Sequence, residues 1–115
     1  VVLISDSMRA TGLADGQYTL GGQDVTVRGN RATLTVNNAL AGSVTNLMDC
    51  MRTVVTKMDI PLESAVACAT MNPAKSIGIY DKCGSITPGK DGDLILLNKD
   101  LSIKAVYING EKVEM

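Results

Sequence analysis

The chain has 115 residues, enough for one domain with a core of its own, and its 45% hydrophobic content lies in the ordinary globular range. Its formal net charge is -1 with acids and bases interspersed, so there is neither a basic stripe for nucleic acid nor a polybasic run for an anionic membrane. Its apolar stretches fall well short of the roughly 20 residues of a membrane span and its first residues carry no signal-peptide pattern, so a soluble, cytoplasmic protein is expected.

The first element is "VVLISD". Val1, Val2, Leu3, Ile4 and Ser5 read as a buried parallel strand that ends in the carboxylate of Asp6. No initiator Met precedes it and nothing is available for it to lie beside, which suggests the tail end of a longer enzyme. "SMRATGLADGQYTL" then reads as a loop leaving the C-terminal end of the strand. From Tyr18 the apolar residues alternate: Tyr18 and Leu20, a Gly21-Gly22 turn, Val25 and Val27, a Gly29-Asn30 turn, then Ala32, Leu34 and Val36. Spacing of two with glycine turns predicts a small antiparallel meander.

At Ser43 the period changes, because Val44, Leu47, Met48, Met51, Val54, Val55 and Met58 fall at helical spacings. The pattern predicts an amphipathic helix with Ser43 as its N-cap and the methionines as core filler. "DIPLESAVACATMN" predicts a second helix, with Asp59 as a cap, Pro61 in the first turn and a narrow face of Leu62, Ala65, Val66 and Ala69. "NPAKSIGI" predicts a third, shorter one capped by Asn72 and stopped by Gly78. Beyond it lie an apolar strand at Leu94 to Leu97, an alternating strand around Ile103, Ala105 and Tyr107, and a hairpin turn at Asn109-Gly110. A boundary is placed near Tyr80, giving segments 1–79 and 80–115, and there is no internal repeat.

Few residues can carry chemistry. Asp6 is the sharpest candidate, because active sites of α/β proteins collect at the C-terminal ends of parallel strands, where a carboxylate can ligate a metal or take a proton from water. An Asp that merely caps the following loop remains the other reading. "LAGS", Leu40 to Ser43, sets a glycine before a helix start, where backbone N–H groups and the Ser43 hydroxyl can face a polar substrate, although a Gly-Ser cap is also routine. Arg9, Lys75 and Lys90 read as solvated bases. Cys50, Cys68 and Cys83 are odd in number and far apart, unlike a zinc ribbon or redox pair, and Cys50 and Cys68 read as small core side chains. The chain has no His, the commonest ligand of catalytic zinc.

"NPAKSIGI", "GSITPGKDGDLILLN" and "IKAVYINGEKV" together resemble the closing segment of the amidohydrolase superfamily, metal-dependent hydrolases built as a TIM-like barrel with a small β-sandwich. The front half, "LISDSMRATGLADGQYTLGGQDVTV" and "TLTVNNALAGSVTNLMDCMRTVV", resembles the N-acetylglucosamine-6-phosphate deacetylase family within it. The resemblance implies an α/β fold: a C-terminal fragment of a (β/α)8 barrel, with its last strand, an inserted hairpin and closing helices in 1–79, and the C-terminal strands of the sandwich in 80–115. It implies that Asp6 passes a proton from the attacking water to the leaving amine, with metal ligation by Asp6 a further possibility, and that Leu40, Ala41, Gly42 and Ser43 line the sugar site.

It also implies a zinc or similar divalent cation in the intact parent, whose His ligands and phosphate-binding groups lie upstream. The 115 residues alone are therefore expected to bind no metal and to be inactive. The partner implied is a small amino sugar phosphate, and the unpaired apolar strand points to a homo-oligomer. Two other readings stand beside this one. A dihydroorotase-like or deaminase-like member of the superfamily is disfavoured by the hairpin between Asp6 and Ser43, and a stand-alone interaction module by the scarcity of aromatic residues.

Overall fold

The computed structural model describes residues 1–115. They form seven strands and three helices in an α/β chain, with a four-stranded and a three-stranded antiparallel sheet. Contacts divide the chain into two compact units: Leu3–Thr53, and Val1–Val2 together with Val54–Met115.

In the Leu3–Thr53 unit, β1 (Gly16–Leu20), β2 (Gln23–Arg28), β3 (Arg31–Leu34) and β4 (Leu40–Gly42) form a meander in sequence order. Gly21 and Gly22 take φ of 59° and 81° between Leu20 and its partner Gln23, a turn that needs left-handed backbone at both positions and so suits two glycines. Val25, Val27 and Ala32 are fully or almost fully buried, at 0%, 2% and 0% exposure. They form a core with Met8 and Ala10, against which Tyr18, Leu34, Ala41 and Val44 pack. The alternation read from the sequence is this buried face at Val25, Val27 and Ala32, whereas Leu20 and Val36, at 37% and 88% exposure, lie outside it.

Three expectations are corrected here. Val1 to Ser5 form no strand, and Val1 and Ile4 are 97% and 75% exposed. A parallel strand exists only through a neighbour's hydrogen bonds, and the first pairing along the chain is an isolated parallel bridge between Ser7 and Ser43. "LAG" does not lead directly into a helix but forms strand β4, which joins β3 across a register shift at Ala32/Thr33. Ser43 does not cap the helix, because α1 spans Leu47–Lys57. Asn46 is its cap: Asn46 Oδ1 accepts from the Asp49 amide at 2.9 Å while Asn46 Nδ2 donates to the Asp49 carboxylate at 2.9 Å. Asp49 also pairs with Arg52 one turn on. On the expected apolar face Met51 is buried and Met58, beyond the helix end, is 61% exposed. All three cysteines are free thiols of intermediate burial, so Cys50 and Cys68 are half-buried rather than core residues.

In the other unit, α2 (Leu62–Ala69) and α3 (Met71–Ser76) meet at Thr70 and bury Ala65 and Ala74. Asp59 and Asn72 do not cap these helices, whose N-cap positions are Pro61 and Thr70. Asn72 sits inside α3, and its side-chain amide donates to Val1 O at 2.8 Å. Gly78 does stop α3, with Ile79 N donating to Ala74 O at 2.9 Å and Gly78 N to Lys75 O at 3.3 Å, the double closure of a Schellman end. β5 (Leu94–Leu97) pairs with β6 (Ile103–Ile108), and the Asn109-Gly110 turn returns the chain into β7 (Glu111–Lys112), as expected.

Gly84 joins the helical to the β-rich part of this unit. Its φ is +95°, and a Cβ there would lie 2.8 Å from the Ala74 Cβ and 3.2 Å from Thr70 O, so both backbone and packing demand glycine. Gly84→Ala is expected to lower stability by about 2 kcal/mol or more, measured by urea unfolding; an unchanged midpoint would refute this packing.

Candidate functional site

Met8 and Ala10, buried at 8% and 1% exposure, are the apolar feet of the turn that follows Asp6. Once they sit on Val25, Val27 and Ala32, the backbone next to them is drawn to the far end of the meander. Met8 N donates to Ser43 O at 2.8 Å, and the Ser7 hydroxyl donates to Thr45 O at 2.5 Å. Thr11 Oγ1 adds bonds to Met8 O at 2.7 Å and Ser43 O at 3.5 Å, and Ser43 Oγ accepts from Thr45 N at 3.1 Å. Two stretches separated by the whole meander in sequence are thereby laced together.

Asp6 lies at the edge of this lacing. Its residue is exposed, its φ is +50°, and its carboxylate has no hydrogen-bond or ion-pair partner within the chain. The left-handed backbone costs a non-glycine residue roughly 1 kcal/mol, and Asp bears that better than most. A free carboxylate on constrained backbone is able to accept a proton or ligate a cation. Of the other predicted residues, Leu40 is 72% exposed, and Ala41, Gly42 and Ser43 are half-buried. A Cβ on Gly42 would meet Met8 Sδ at 3.5 Å and Leu20 Cδ2 at 3.6 Å, ordinary contact distances that put β4 beside the turn after Asp6. Asp6 and the Leu40–Ser43 segment are therefore neighbours through the Ser7–Ser43 bridge.

The three bases read as solvated all have partners. Arg9 Nε and Nη2 donate to Thr19 O at 3.2 and 3.0 Å, fastening the turn after Asp6 to β1. Lys75 and Lys90 place their ammonium groups 4.8 and 3.4 Å from the Tyr80 ring centroid, a cation–π arrangement that sequence spacing does not reveal. A shallow open depression of about 300 Å³ on the meander, lined by Gln23, Asp24, Leu34, Thr35 and Val36, includes none of the predicted site residues.

The donor set does not fit a complete metal centre. The chain has no His, and it brings no three His, Cys, Asp or Glu side chains together, whereas a catalytic zinc takes three protein ligands. Asp6 can supply a single carboxylate. No helix is long and apolar enough to cross a membrane.

Comparison with known proteins gives the site a context. The sequence profile described as "Amidohydrolase family" matches residues 22–113. The chain is 41% identical over 110 residues to the N-acetylglucosamine-6-phosphate deacetylase of Bacillus subtilis, covering 96% of this chain and 28% of that protein. Among solved structures, the N-acetylglucosamine-6-phosphate deacetylase of Pasteurella multocida superposes with a TM-score of 0.90 at 27% identity, over 97% of this chain and 29% of that one. A mutant of the Mycobacterium smegmatis deacetylase in complex with N-acetyl-D-glucosamine-6-phosphate superposes with a TM-score of 0.83 at 32% identity, over 96% of this chain and 30% of that one. The 115 residues thus span little more than a quarter of the length of the curated relatives they match.

Arg9→Met removes a doubly hydrogen-bonded cation between the turn and β1 and is expected to cost about 1 kcal/mol. Urea unfolding with hydrogen exchange at Thr19 and Leu20 checks it, and unaltered exchange there would count against the fastening.

Proposed function

The chain belongs to the amidohydrolase family, and from that premise we propose that it is the closing part of a hydrolase that deacetylates N-acetylglucosamine 6-phosphate to glucosamine 6-phosphate and acetate. The observation that carries this reading is likeness to deacetylases of that name along nearly the whole chain, in sequence and in backbone alike. On this reading residues 1–79 are the last strand, inserted meander and closing helices of a TIM-like barrel, and 80–115 are the C-terminal strands of its β-sandwich. Leu3 to Ser5 then become a strand when the rest of the barrel supplies their hydrogen-bonding neighbours.

Asp6 is the catalytic base and acid. Water adds to the acetamide carbonyl carbon as its proton passes to the Asp6 carboxylate, and the same proton then goes to the sugar nitrogen as the C–N bond breaks. The exposed and unpartnered carboxylate supports this role, since a carboxylate already held in an ion pair is a poorer proton acceptor. Leu40, Ala41, Gly42 and Ser43 face the sugar, supported by their adjacency to Asp6 through the Ser7–Ser43 bridge. Asp6 would give a divalent cation in the whole protein one carboxylate ligand, and such a cation would supply Lewis-acid chemistry there. Its other ligands come from the part of the relatives' length that these residues do not span. The same reading makes the protein cytoplasmic and residues 1–115 by themselves a homo-oligomer, in keeping with the exposed apolar side chains of Val1, Ile4 and Ile86.

The test is acetate release from N-acetylglucosamine 6-phosphate by a full-length protein carrying these residues. It is expected to be active and to lose activity to a chelator, with Asp6→Asn lowering kcat by about a thousandfold, while residues 1–115 alone release none. An Asp6→Asn protein that kept its rate would remove Asp6 from the chemistry. Full-length protein inert toward this substrate but active on a cyclic amide would move the chain to another branch of the family.

A further inference from the structure

We propose that Ser7 is a positioning residue for Asp6, acting through its hydroxyl rather than touching substrate. This rests on the catalytic role given to Asp6. Asp6 holds a left-handed φ of +50° with no side-chain bond to fix it, so its backbone alone sets the Cα–Cβ direction from which the carboxylate projects. On the downstream side Ser7 is the immediate neighbour of Asp6, and there residues 1–115 supply the hold themselves.

Two bonds fix the residues nearest Asp6 on that side: Met8 N to Ser43 O, and Ser7 Oγ to Thr45 O. The first is backbone and survives any substitution at 7. The second is the one contact in which a side chain next to Asp6 reaches across to the 43–45 stretch. Together they clamp residues 7 and 8 at two carbonyls, those of Ser43 and Thr45, just beyond the end of β4. With only the Met8 bond the segment keeps its place but gains freedom to twist about it, and that twist is transmitted to the Asp6 carboxylate. Ser7 is exposed, so water replaces the hydroxyl at Thr45 O and global stability changes little. Proton transfer, by contrast, falls steeply with small misplacement.

The decisive variants are Ser7→Thr and Ser7→Val, nearly identical in shape and both suited to extended backbone, which differ in the hydroxyl. They are made in the full-length protein, alone and with Asp6→Asn, and assayed for acetate release from N-acetylglucosamine 6-phosphate. Ser7→Thr is expected to keep kcat near wild type, and Ser7→Val to lower it about tenfold or more with KM little changed. In the Asp6→Asn background the same two variants are expected to be indistinguishable, because Ser7 then has nothing to position. Equal rates for Thr and Val in the otherwise wild-type protein overturn the proposal, as does a Val deficit that persists undiminished in the Asp6→Asn background. A wild-type protein without deacetylase activity overturns the functional reading instead, and Ser7's role with it.

Discussion

The geometry of the Leu3–Thr53 unit depends on one packing event, the seating of Met8 and Ala10 on Val25, Val27 and Ala32. These side chains are small or unbranched, and none is aromatic. Val25 and Val27 are the largest that are fully buried, so a modest apolar area decides where the turn after Asp6 rests. Its hydrogen bonds to Ser43 and Thr45 follow from that seating and convert a contact into a register. The fold places a free acid beside a strand end by means of valines and an unbranched thioether, with hydroxyls supplying direction.

Much of this was legible in the sequence, and the failures have definite causes. The meander announced itself by a period of two broken by glycine pairs, and the C-terminal hairpin by Asn109-Gly110, because those turns need a backbone few other residues adopt. The opening strand was misread because strand formation is a property of two segments, and apolar composition in Val1 to Ile4 says nothing of the second. β4 was missed because three residues ending in glycine show no period. The start of α1 was legible but passed over: Asn46 followed by Asp49 carries the reciprocal capping pattern three residues apart, which Ser43 followed by Asn46 lacks. Side-chain pairings such as Lys75 and Lys90 on Tyr80 depend on how α3 and the Gly89–Lys90 turn approach one another, which no local pattern encodes.

The candidate site was legible in its members and not in its meeting. Asp6 stood out as an acid after an apolar run, and Leu40 to Ser43 as a glycine-bearing stretch before a helix. What joins them is the parallel bridge at Ser7 and Ser43, an isolated pair with no ladder around it. The chain holds no histidine, and its fold brings no three metal-ligating side chains together.

The meander leaves the Ser7–Ser43 bridge and returns to it. Its two ends are fixed to each other, so its length is uncoupled from the position of what it brackets. Lengthening such a closed excursion costs little, about 0.6 kcal/mol for each doubling. The tips at Gly21-Gly22 and Gly29-Asn30 lie at the ends of hairpins whose registers are set nearer the core. Evolution, or an engineer, is therefore able to extend, trim or exchange those tips while Asp6 stays where it is.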